Sequence, residues 1–151
     1  MNDDSNIISL DQKRLEAFWG KPISIYTRAQ ALTDGVLVDL TSIAMRYGFK
    51  IPMACTSAVW HSIEWSQAIE DQKSECTGQS TEGRLHDVMS MASLAAHRAA
   101  RNDPSSVVEF RVLLVPREDS TVQAKEETLV LVVAGGDQGE PVLTLMLPGE
   151  D

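Results

Sequence analysis

His61 and Glu64 stand three positions apart in a stretch, residues 57–71, whose apolar residues recur at helical spacing. On a helix such residues touch, and an imidazole beside a carboxylate can move a proton. A surface ion pair beside Trp65 is the simpler expectation, because no third group is spaced to orient the two. His86 and His97 lie on one face of a longer helical stretch, about 16 Å apart, too far to share a metal. Ser90 and Ser93 fall between them, so the stripe is either a polar groove or the solvent side of an amphipathic helix. Cys55 precedes Thr56, an expected helix cap, where a thiol pKa can fall; a small buried thiol is the commoner use. Arg28 and Asp39 bracket the densest polar cluster of the first half, and a structural ion pair accounts for them. Trp60 and Trp65 differ by about 140° around a helix, so they cannot easily both face inward; one exposed would suit a protein interface. The chain has no GxSxG, HExxH or phosphate loop ending in GK[ST], and no metal, cofactor or catalytic residue is assigned.

These residues need elements to position them. Residues 1–20 read as a mobile arm, docked through Leu15, Phe18 and Trp19, and residues 21–151 as one α+β domain. Residues 22–26 alternate like a short strand; Thr27 caps a helical turn stopped by Asp34-Gly35, and residues 36–40 form another short run. Thr41 is the expected cap of a helix ending at Gly48. Pro52 sits in an extended approach to a helix over residues 57–71 capped by Thr56. Thr81 caps the longest helix, residues 82–101, whose apolar face runs from Leu85 and Val88 to Ala96 and Ala99. The period then changes: residues 107–116, 128–134 and 142–147 predict a three-stranded antiparallel meander. The expected fold is therefore α+β, with N-terminal short strands and helices packed on that meander.

The charge is uneven. The chain has 151 residues with 22 acids and 13 bases, net −9. Residues 102–151 hold 10 of the acids and 3 of the bases. Such a surface repels nucleic acid and anionic membranes, and it suits solubility or a basic partner. Neither a signal peptide nor an apolar stretch of membrane-spanning length is legible, so the cytoplasm is the expected compartment. The two cysteines, Cys55 and Cys76, do not make a disulfide scaffold.

Three strings carry a resemblance: YTRAQALTDGVLVDL (26–40), GRLHDVMSMASLAAHRAA (83–100) and GEPVLTLMLPGED (139–151). From about residue 22 to its end the chain resembles a family of small bacterial proteins carried by plasmids and integrative conjugative elements. That family is a domain of unknown function labelled plasmid-related protein. His86 stands where an aromatic residue is expected in the GRLxD pattern. The resemblance implies a mobile-element context, in which small acidic proteins often counter host defence.

The sequence thus favours a non-enzymatic acidic interaction protein that inhibits a host defence complex, of anti-CRISPR or anti-restriction type, by surface binding. Trp60, Trp65, Glu118, Asp119, Glu126, Glu127, Asp137 and Glu140 are the expected contacts with a basic protein partner. Direct nucleic-acid or membrane binding is not expected; exposed sheet edges allow a homodimer. The alternatives are a small enzyme modifying a protein or small molecule through Arg28, Asp39, His61 and Glu64, with His86 in a polar site, or a plasmid maintenance or transfer factor.

Overall fold

Thr27 accepts the Gln30 N–H and the Gln30 side chain answers at the Thr27 N–H, a reciprocal cap that starts α1 (Arg28–Asp34). Gly35 ends it at φ 78°, a left-handed conformation that costs glycine little. The computed structural model describes residues 26–150, so the expected arm and most of the strand at 22–26 lie outside the described residues.

The order continues with β1 (Leu37–Asp39), α2 (Thr41–Met45), β2 (Met53–Thr56), α3 (Ser57–Ile63), α4 (Gln67–Asp71), α5 (Thr81–Asn102), β3 (Val107–Leu114), β4 (Lys125–Gly135) and β5 (Pro141–Met146). The five strands form one mixed sheet in the order β1-β2-β5-β4-β3. The expected meander is present: β3 pairs antiparallel with β4, and β4 with β5. It does not stand alone, because β2 runs parallel beside β5 and carries β1 with it. The fold is α+β.

Period-2 alternation sends Phe110, Val112, Leu114, Leu129, Leu131, Leu143 and Leu145 to one face of the sheet. Val88, Met89 and Ala92 of α5 and Val59 and Ile63 of α3 cover that face, each 0 % exposed. Each large aliphatic side chain so buried contributes about 1.5–3 kcal/mol. The other face is covered at β5 by α1, through Arg28, and opens toward β3.

Three local expectations are corrected. Thr81 does not cap α5: it is the first helical residue, and Ser80 is the cap, its hydroxyl accepting the Gly83 N–H (3.0 Å) while Thr81 Oγ1 is taken up by Trp65. Thr41 does not cap α2: its hydroxyl bonds Asp39 and the Met53 carbonyl, and Leu40 holds the cap position without a side-chain bond. The helix expected over 57–71 is two helices. Glu64 turns extended at ψ 133°, and Ser66 caps α4. The cause is tertiary. A longer helix would use the Ser62 and Ile63 carbonyls internally, but both accept from Arg84. Trp65 N–H donates to Thr81 Oγ1 instead (3.0 Å).

Candidate functional site

Arg84 is the most deeply buried charge of the described residues, 2 % exposed on the core stripe of α5 beside Leu85 and Val88. Its Nε donates to the Ile63 carbonyl (3.1 Å). Nη1 donates to the Val115 carbonyl (2.9 Å) and Gln79 Oε1 (2.9 Å), and Nη2 to the Ser62 carbonyl. The Trp65 ring lies 4.8 Å from the guanidinium carbon. Burial lowers the arginine's pKa, against the fields of Glu127, Asp87 and Glu118. The guanidinium thus closes the C-terminus of α3, where the helix dipole favours a cation, and ties it to the end of β3. A charge on an apolar helix stripe is the signal for such a clamp in the sequence.

Above this clamp, the end of the β3–β4 hairpin forms a cleft of about 280 Å³ with α3, lined by His61, Ser62, Arg117, Glu118 and residues 125–127. His61 Nδ1 accepts from Arg117 Nη1, and Nε2 lies 4.0 Å from Glu118 Oε1. The expected pair of His61 with Glu64 is replaced by these contacts: α3 ends at Ile63, so Glu64 leaves the helical path. Lys73 Nζ gathers the carbonyls of Pro116, Glu118 and Asp119 and sets the loop. Asp119 turns it at φ 62° and accepts from Thr121 N–H. Glu118, Asp119 and Glu126 are exposed on this rim, and Glu127 is half-buried.

The other expected contacts lie elsewhere. Asp137 accepts from the Arg28 N–H (2.8 Å) and the Ala29 N–H (3.0 Å), capping α1 from the β4–β5 turn. Glu140 accepts from Gln138 N–H in the same turn. That turn lies at the far end of β4 from Glu118 and Glu126, roughly 30 Å away. The acidic residues therefore form two groups. Trp60 is half-buried against the core. Trp65 is also half-buried, with Nε1 donating to Glu70.

Arg28 and Asp39 do not bond each other. The Arg28 guanidinium donates to Thr144 Oγ1 and the Leu143 carbonyl (both 2.8 Å), and burial lowers its pKa against the pull of Asp137, Asp39 and Glu140. Asp39 accepts from the hydroxyl (2.6 Å) and N–H (3.0 Å) of Thr41, which hold its carboxyl below the usual range. His86 is exposed on α5, where its Nδ1 meets the Tyr47 hydroxyl at 2.7 Å, with the rings tilted and 5.7 Å apart. Beside it a groove of about 550 Å³ runs between α5 and β3, past Asp87, Ser90, Met91, Arg111 and Leu113. Cys55 is wholly buried on β2, and burial pushes its thiol up to about 12, which leaves it unreactive at neutral pH. Arg28 with Asp39, His61 with Arg117, and His86 with Tyr47 occupy three separate places. Among the described residues no three His, Cys, Asp or Glu side chains are grouped to hold a metal ion. No helix among them is long and apolar enough to cross a membrane.

No curated protein and no solved structure matches the chain. Residues 18–151 match the model of a family of unknown function (DUF6573), and the chain belongs to that family.

Proposed function

We propose that the protein is a non-enzymatic acidic interaction protein of a mobile genetic element that inhibits a host defence complex, of CRISPR or restriction type, by surface binding. The observation that carries the reading is the placement of charge. Glu118, Asp119 and Glu126 stand exposed on one rim, on a hairpin end held by Lys73, while the groups able to move protons sit in separate places. Rigid exposed carboxylates suit capture of arginine and lysine side chains, because neither partner must reorganise. Arg117 and Lys125 line the adjoining cleft, so the rim presents alternating sign rather than a uniform acid field, and that favours one basic partner over any polycation. The mobile-element context rests on the sequence resemblance alone.

Affinity capture with the tagged protein, from bacteria with active CRISPR and restriction systems, tests this at low salt. The expected result is retention of one defence complex, weakening steeply with salt. It is lost in a variant carrying Glu118→Lys, Asp119→Asn and Glu126→Lys, the asparagine keeping the left-handed turn. Retention unchanged by salt or by that variant would overturn the electrostatic reading.

A further inference from the structure

We propose that β3 is a self-pairing edge, through which two copies of this chain join their sheets antiparallel about a twofold axis beside Phe110. Among the described residues β3 has a partner on one side only. The Val133 N–H donates to the Ser106 carbonyl (2.8 Å), which fixes the phase of the β3–β4 ladder. Residues 108, 110, 112 and 114 therefore face β4 with their backbone groups. The N–H and C=O groups of Val107, Glu109, Arg111 and Leu113 point away from the sheet, a row of donors and acceptors with no strand partner, in which the Val107 N–H donates to Ser105 Oγ (3.2 Å).

The side chains on the same four residues make the edge complementary to itself. With Phe110 opposite its twin, Glu109 faces Arg111 of the second copy and Arg111 faces its Glu109. Val107 faces Leu113 in the same way. All four are exposed now, Val107 at 52 % and Leu113 at 63 %. This register satisfies the outward row with about eight backbone hydrogen bonds. The neighbouring in-phase registers centre Glu109 on Glu109 or Arg111 on Arg111, which puts like charges directly opposite. Arg111 already has a partner in Glu126 at 3.4 Å, a surface pair that leaves it free to take a second carboxylate.

The helix above the edge carries a matching apolar feature. Asp87, Ser90, Met91 and Leu94 fall on one stripe of α5, and the first three line the groove over β3. Met91 is 37 % exposed and Leu94 43 %. A twofold perpendicular to the sheet keeps both copies of α5 on one face, side by side across the seam. Met91 and Leu94 would then meet their counterparts, so four exposed apolar side chains per copy are covered by one operation.

The test is sedimentation of the full chain with charge exchange. The wild type is expected to be dimeric at micromolar concentration. Glu109→Arg alone and Arg111→Glu alone each replace two attractive pairs with two repulsive ones, and each is expected to weaken association by roughly tenfold or more. An equimolar mixture of the two restores a heterodimer, and the double exchange in one chain restores the homodimer, since opposite signs again face each other. Amide exchange gives a readout that does not depend on the variants. The amides of Glu109, Arg111 and Leu113 in the wild type gain protection as concentration rises. A chain that stays monomeric up to about 1 mM, a dimer indifferent to both single exchanges, or a mixture that does not associate would overturn the proposal.

Discussion

Replacing Arg84 by methionine removes a cation that three backbone carbonyls and one side-chain amide hold at the junction of α3, α5 and the end of β3. Methionine fills most of the volume, so the loss is polar. The carbonyls of Ser62, Ile63 and Val115 lose their donor in a site where Arg84 is 2 % exposed. Each buried acceptor left alone costs about 1–3 kcal/mol, and partial entry of water recovers some of it. The sum is roughly 3–5 kcal/mol, a large share of a typical domain stability of about 5–15 kcal/mol. With an m-value of about 2 kcal/mol/M the urea midpoint should fall by about 2 M. Trp65 loses the guanidinium 4.8 Å from its ring, so its fluorescence should change in the folded state. Arg84→Lys should recover only part of the loss, because one ammonium cannot span the fork's four acceptors. A midpoint shift below about 0.5 M for Arg84→Met would refute the clamp.

Asp137→Ala removes the carboxylate that takes the first two N–H groups of α1. It should cost about 0.5–2 kcal/mol, read as a small fall in urea midpoint. Asp39 and Glu70 have pKa values held below the ordinary 3.8 and 4.5, chiefly by bonds from Thr41 and Thr77. Their contribution is present above those values and is lost as pH falls through the lower folded ones. Thermal stability should therefore decline as pH drops below about 4.5, and Thr41→Val together with Thr77→Val should flatten that decline. Cys76 is exposed and Cys55 buried, so a thiol reagent at neutral pH should label the first quickly and reach the second only on unfolding.

The elements legible in the sequence are those whose causes are local. Thr27, Gln30 and Gly35 announce α1 within nine positions, and the stripe from Leu85 to Ala92 announces α5. The alternation of Phe110, Val112 and Leu114 marks β3. What escaped has a distant cause. β2 is four residues long and is made a strand by β5, some ninety positions later, so only its extended character shows in the sequence. The break between α3 and α4 follows from Arg84 and Thr81, neither of which lies in the broken segment. Of the site residues, the sequence supplied the acids without their duties. Asp137 is committed to a helix cap, whereas Glu118 and Glu126 are exposed and meet only surface partners, His61 at 4.0 Å and Arg111 at 3.4 Å. His61 meets Arg117 because α3 lies over the end of β3, a contact across 56 positions.

The most direct measurement of the central claim is phage plating on cells that restrict or cleave the phage through an active defence system. Cells expressing the wild-type protein should lose protection and plate the phage as undefended cells do. Cells expressing the variant with Glu118→Lys, Asp119→Asn and Glu126→Lys should keep their protection while accumulating the folded variant. Full protection in cells that make the wild-type protein, across CRISPR and restriction systems alike, would contradict the account.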